Sequence, residues 1–191
     1  MPFRVCPAEV EEAPRPGEAP TVFARRAARD KALEVAGRAG LPVLGADTVV
    51  EVDGTILGKP GSNGEAEEML RALSGREHQV HTAVALAHRS HQLPAVDERC
   101  HDLVDTATVE IVRLSDRVIR WYVATGEPMD KAGAYAIQGL GGLLVSAVEG
   151  SPHTVVGLPI HRLPELFAAC GLDFWSMLDA GYRSQATGLR R

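Results

Sequence analysis

The stretch Val43 to Val52 is largely apolar, with Asp47 the one carboxylate in its Leu44–Val50 run, and it goes on into Asp53-Gly54 with Thr55 to Leu57 beyond. Asp-Gly is the dipeptide that a type I′ turn favours, because both central residues need positive φ. A buried strand with a returning hairpin is therefore expected here, and a sheet must exist to bury it. The segments around it set the class of that sheet. From Thr21 to about Ala39 alanines, Leu33 and Val35 recur at three- and four-residue steps, so a helix is expected, closed by Gly40. Ser62 and Asn63 can cap a second helix, with Glu65, Glu67 and Glu68 near its positive end and Ser74-Gly75 at its close. Val80, Thr82, Val84 and Leu86 alternate with other residues, as do Leu103, Ala107, Val109 and Ile111, which predicts two long antiparallel strands.

Further along, Ser115 is expected to cap a helix carrying Val118, Ile119, Tyr122 and Val123 and ending at Gly126. One more strand is expected over 142–148, a loop from Gly150 to Gly157, and a helix from Leu158 to Cys170 with a kink at Pro164. Residues 3–12 read as a short strand entering an acidic turn. Helices and strands alternate irregularly, with hairpins among them, so an α/β or α+β fold with a mixed sheet is favoured over a doubly wound one. At 191 residues the chain fits one domain, with 172–191 as a tail frayed at its Arg-rich end.

Charge and cysteines narrow the function classes. A formal net charge of -5 gives no general pull toward nucleic acid or an anionic membrane, so any phosphate must be held by a few local cations. Cys6, Cys100 and Cys170 are odd in number and form no CxxC pair, which points to a reducing compartment, the cytoplasm, and away from a zinc site. No apolar run reaches signal-peptide or membrane-spanning length. Neither a GxxxxGK[ST] loop nor GxGxxG occurs. His78 and His81 are three apart on an alternating strand and should face opposite ways; His88 and His91 share that spacing.

Some residues are out of place. Asp47 either caps a turn at the strand's end or serves a site, since a carboxylate in an apolar run is costly unless a cation meets it. Lys31 has Ala27, Ala28 and Val35 as helical neighbours and so projects from the small, apolar side of its helix, away from Arg25, Arg26 and Arg29; it either snorkels or meets a partner. Lys59, in Gly58-Lys-Pro60, follows the returning strand in a rigid loop. Small residues between Glu127 and Gly139 let backbone approach a ligand, with Asp130, Lys131 and Gln138 offering contacts, unless the stretch is a plain surface loop.

Together, Gly45-Ala-Asp-Thr-Val-Val50, Gly58-Lys-Pro60, Leu73-Ser-Gly75 with His78 and Thr82-Ala83, Asp130-Lys-Ala-Gly-Ala-Tyr135, Gln138-Gly139 and Val155-Val-Gly-Leu-Pro159 resemble the Maf family of nucleoside triphosphate pyrophosphatases in order and spacing. The resemblance runs from about Phe3 to Leu166. It implies two lobes around a central cleft, an architecture akin to the inosine triphosphate pyrophosphatases. It also implies hydrolysis of a nucleoside triphosphate to monophosphate and pyrophosphate with a divalent cation, Mg²⁺ or Mn²⁺, in a homodimer. By resemblance, Asp47 activates water, Glu12 assists Asp47 at the metal, Lys31 and Lys59 face the triphosphate, and Thr48 and Gln138 mark the branch acting on dTTP and UTP. A glutamine amide both donates and accepts, as reading a uracil or thymine edge demands. A non-catalytic nucleotide-binding regulator of cell division is the alternative. Family members open with an apolar strand and a Ser-x-Ser-x-Arg-Arg segment, and Met1 aligns beyond them; a chain extended by that segment is expected to be more stable and more active. Arg25-Arg26 cannot take its place by spacing and is expected to form a solvated helix face.

Overall fold

The computed structural model describes residues 3–88 and 100–180. Helix α1 (Pro20–Ala39) starts with proline in its first turn, where the missing N–H costs nothing, and stops at Gly40 in the left-handed conformation. Strand β1 (Val43–Val52) and β2 (Thr55–Leu57) follow, then α2 (Asn63–Leu73), β3 (Glu77–Ala87), β4 (Cys100–Ile111), α3 (Asp116–Ala124), β5 (Val145–Glu149), α4 (Pro152–Val156) and α5 (Leu163–Ala169). Asp53 and Gly54 both have positive φ, as the hairpin requires. Ser62 and Ser115 cap α2 and α3 through their side chains.

The strands form one sheet in the order β2-β1-β3-β4-β5. The α/β class holds, and every described pairing is antiparallel, so the parallel pairs that a mixed sheet would include do not occur among the described residues. The reason is the route of the chain. Because β2 is a short edge return, α2 carries the chain past β1 to pair β3 on its other side, running back against it.

Three expectations are corrected. Residues 3–12 form no strand; α1 side chains hold the segment along the helix instead, with Arg38 donating to the Pro7 carbonyl at 2.6 Å and Arg26 to that of Ala13 at 2.9 Å. The loop expected from Gly150 to Gly157 contains α4. The helix expected from Leu158 is a short 3₁₀ turn, Ile160–Arg162, followed by α5, and Pro164 lies in the first turn of α5, so it starts a helix and kinks nothing. His88 is described and His91 is not, so that pair, like Met1 and the Arg-rich end, lies wholly or partly outside the described residues.

Alternation divides the sheet into two faces. Val49, Ala83, Ala85 and Ala87 pack on α1 through Phe23, Ala24, Ala27, Ala28 and Ala32. Gly45 makes the contact close: a Cβ there would sit 2.5 Å from the Ala28 carbonyl oxygen. On the other face lie two apolar clusters. One joins Val50, Val80 and Val109 to α2 and α3 through Leu70, Leu73, Ile119 and Tyr122. The second joins Val84 and Leu86 to α5 through Leu163, Leu166 and Phe167. Burying each large side chain contributes about 1.5–3 kcal/mol, so these clusters carry most of the drive for holding the helices on.

His78 and His81 do face opposite ways. His81 bonds Thr106 and Glu51, and His78 Nε2 bonds the Tyr135 hydroxyl at 2.7 Å. Burial lowers the pKa of His78 from 6.5 to about 4. The unfolded chain thus binds a proton that the folded one refuses between those values, so stability falls as pH drops from 6.5 toward about 4. Urea unfolding should show wild-type stability declining by up to about 3 kcal/mol over that window, and His78→Gln should lose most of that slope. Equal slopes in the two proteins would assign the acid sensitivity to other groups.

Candidate active site

Asp47 and Lys31 meet because α1 lies so near β1. Asp47 shares the α1 face of the sheet with Gly45 two residues before it, and the absent side chain at Gly45 lets the helix settle within reach. Lys31 Nζ lies 2.7 Å from Asp47 Oδ1 and 3.0 Å from Glu12 Oε2. The Asp47 side chain is only 10% exposed and that of Lys31 19%. Lys31 therefore neither snorkels nor stands alone: one ammonium bridges two carboxylates, and the segment before α1 brings in the second. Burial raises the pKa of Asp47 above its ordinary value, and Lys31 opposes that rise. Burial also works against the charged Lys31, but the two carboxylates outweigh it, so its pKa is raised.

These residues line a cleft of about 790 Å³ that also takes in Thr48, Lys59, Asp130, Lys131 and Gln138. All six residues singled out from sequence, Glu12, Lys31, Asp47, Thr48, Lys59 and Gln138, come together around it. The cleft wraps over the outer edge of β1, which β2 covers only at Val50–Val52. It can thus be reached from both faces of the sheet, with Asp47 on one and Thr48 on the other. Lys59 is held at the rim by backbone. The Gly133 N–H donates to the Gly58 carbonyl at 3.0 Å, and Gly133 presses on Val50 where a Cβ would come within 2.9 Å of that side chain. Gln138 precedes a 3₁₀ turn, Gly139–Leu143, that Glu127 clasps by accepting from the N–H groups of Leu140 at 3.0 Å and Gly141 at 2.8 Å. Tyr122 donates to the same carboxylate at 2.9 Å.

Arg25 and Arg26 stay out of the cleft lining, but they are not simply solvated. Arg25 and Arg29 grip Asp102 on β4, and Arg26 pairs with Glu18. These pairs fasten α1 to the sheet and the preceding segment to α1. Three polar residues lie behind the cleft to which the sequence reading gave no site role: Thr82, placed there only in its strand and motif, and Asp105 and Thr154, which it did not single out. The available signal was a Thr and an Asp each standing in the apolar phase of its strand.

No cluster of three or more His, Cys, Asp or Glu side chains with metal-binding geometry occurs among the described residues. Asp47 and Glu12 nonetheless suit a hard divalent cation, since they converge in an open cleft and pair with Lys31 through Asp47 Oδ1 and Glu12 Oε2, which leaves the second oxygen of each carboxylate for such an ion. Such ions near phosphates take one or two carboxylates and complete their shell with water and phosphate oxygen.

Replacing Lys31 with methionine leaves Asp47 buried without its cation. Lys31→Met should cost about 1–3 kcal/mol of stability at neutral pH. The cost should shrink in acid, because a protonated Asp47 needs no partner. Chemical denaturation at pH 7 and pH 4 checks this, and an equal loss at both would show that the contact is packing alone.

Comparison with known proteins places the chain. A family described as Maf-like protein matches residues 1–170. A dTTP/UTP pyrophosphatase of Yersinia pestis bv. Antiqua is 49% identical over 175 residues, covering 88% of this chain and 82% of that protein. The Symbiobacterium thermophilum dTTP/UTP pyrophosphatase is 45% identical over 177 residues, covering 92% and 87%. That of Myxococcus xanthus is 46% identical over 171 residues, covering 89% and 83%. With the matched region reaching from the first residue through α5 and the acid–lysine–acid cluster inside it, the chain belongs to the Maf-like protein family.

Proposed function

We propose that this protein hydrolyses nucleoside triphosphates, with dTTP and UTP as substrates, to the monophosphate and pyrophosphate. The observation that carries the reading is the Lys31 ammonium shared by Asp47 and Glu12 inside a cleft that also presents Lys59 and Gln138. The relatives named for dTTP and UTP support the choice of nucleotide. The same set of acids and lysines disfavours a purely regulatory binder, which needs no general base.

Each residue has a role that its position allows. Asp47 Oδ1 is held by Lys31, which leaves Oδ2 to take a proton from water. The water oxygen forms a bond to the α phosphorus, the bond from that phosphorus to the bridging oxygen breaks, and pyrophosphate departs with the electron pair. A raised pKa suits Asp47 to this task, since it accepts a proton more readily than a solvated carboxylate. Lys59 at the rim and Lys31 within offset charge gathering on the departing pyrophosphate. Asp47 and Glu12 would hold a divalent cation, Mg²⁺ or Mn²⁺, which when bound supplies charge neutralisation and Lewis-acid polarisation at the phosphates. Thr48 and Gln138 face the base. No covalent intermediate is required, since positioning and electrostatics suffice. No helix among the described residues is long and apolar enough to cross a membrane.

Asp47→Asn keeps the shape of the side chain but not its basicity, so pyrophosphate release from UTP with Mg²⁺ should fall by about 10²–10⁴-fold while circular dichroism stays native. Unchanged turnover removes Asp47 from the mechanism. Uracil and thymine nucleotides should be cleaved at least about 10²-fold faster than ATP or GTP, because a site built on hydrogen bonds rejects a base that leaves them unpaired. Release of nucleoside diphosphate and orthophosphate, or a purine preference, would overturn the assignment.

A further inference from the structure

A row of polar side chains crosses the sheet on the face opposite Asp47. Thr48 on β1, Thr82 on β3 and Asp105 on β4 are cross-strand partners in register. Apolar rows flank them, Val50–Val80–Ala107 on one side and Ala46–Val84–Leu103 on the other. Thr82 is fully buried, and so is Thr154 of α4, which lies over it.

The directions of the hydrogen bonds along this row are forced. Thr82 Oγ1 lies 2.6 Å from the backbone oxygen of Thr154, which can only accept, so the single Thr82 hydroxyl proton is committed there. Thr154 is itself pinned, its hydroxyl donating to the Asp105 carboxylate, which Arg162 holds from the far side at 3.2 Å. Thr48 Oγ1 lies 2.9 Å from Thr82 Oγ1. With the proton of Thr82 already engaged, Thr48 must donate to it, and only lone pairs of Thr48 remain for the cleft. Space beside them is kept by Gly157, where a Cβ would stand 3.1 Å from Thr48 Oγ1.

We propose that this relay makes Thr48 a hydrogen-bond acceptor of fixed polarity, which selects a pyrimidine offering a ring N–H, uracil or thymine, and rejects cytosine, whose ring nitrogen offers a lone pair. The inference rests on reading the cleft as a nucleoside triphosphate site and deepens it. Gln138 cannot supply this discrimination, since it is exposed and its amide satisfies either polarity by turning over. Thr82 is then a positioning residue that acts through Thr48, and Thr154 and Asp105 keep it in place.

The test uses non-hydrolysable α,β-methylene UTP and α,β-methylene CTP, titrated calorimetrically with Mg²⁺ into the full chain. Wild type should bind the uridine analogue at least about tenfold tighter, since a mismatched donor–acceptor pair leaves both groups unpaired. Thr82→Val keeps the shape of the side chain but cannot accept from Thr48, which frees the Thr48 proton for the cleft; the two affinities should then converge to within about threefold. Thr82→Ser retains the hydroxyl and should restore the wild-type ratio. Thr48→Val, at the partly exposed end of the row, should abolish the preference without testing the core. A wild-type ratio in Thr82→Val or Thr48→Val, or no preference in wild type, overturns the proposal. Analogue discrimination without pyrophosphate release from UTP would sink the catalytic reading and uphold this one, whereas UTP hydrolysis without discrimination would do the reverse.

Discussion

The contact on which the rest depends is the seating of α1 on β1 at Gly45. Helix backbone meets strand backbone there with no side chain between them. A helix lined by Ala24, Ala27, Ala28 and Ala32 can lie this low, whereas larger residues would hold it farther from the sheet. Only at this separation does Lys31 reach Asp47, and only with Lys31 in place can a carboxylate remain buried on β1. The small residues, which contribute little hydrophobic energy individually, thus set the geometry of the charged ones.

The second carboxylate arrives by a different route. Glu12 belongs to a segment without regular structure, laid along α1 by Arg38 at Pro7, Lys31 at Glu12, and Arg26 at Ala13 and Glu18. Charge-assisted bonds of this kind replace the sheet hydrogen bonds that the segment lacks. α1 therefore does two things at once: its buried stripe fixes the distance to the sheet, and its charged side draws in the chain that completes the site. The remaining arginines, Arg25 and Arg29, tie the same helix to Asp102 on β4.

The two faces of the sheet divide the work. On the α1 face the acids and Lys31 suit phosphate chemistry, while on the other a polar row separates two apolar clusters and ends at Thr48. The cleft joins them because β2 leaves most of the outer edge of β1 uncovered. Strand alternation puts the neighbours Asp47 and Thr48 on opposite faces, so a ligand reaching both must wrap over that edge. Gln138 and Lys59 close the cleft from loops bound to each other at Gly133 and Gly58.

Much of this was legible in the sequence wherever the signal was local. The helix from Thr21, the Asp53-Gly54 hairpin, the serine caps and the alternation of β3 and β4 are each written in a few adjacent residues, and each appears as read. The oddity of Asp47 and Lys31 was visible too, because periodicity alone assigns them to apolar surroundings. What sequence could not supply was register and approach. That Thr48, Thr82 and Asp105 form one row depends on pairings across three strands, and a one-residue slip would turn each chain's contribution to the other face. Likewise, the antiparallel course of every described strand, the seating of residues 7–18 on α1 and the entry of α4 over Thr82 depend on contacts between segments far apart in the chain. Local patterns determined the elements from α1 to α3 and which residues were misplaced; tertiary packing decided the course of residues 3–12 and of α4 and α5, and which misplaced residues meet, since those distances are set by contacts between segments far apart in the chain.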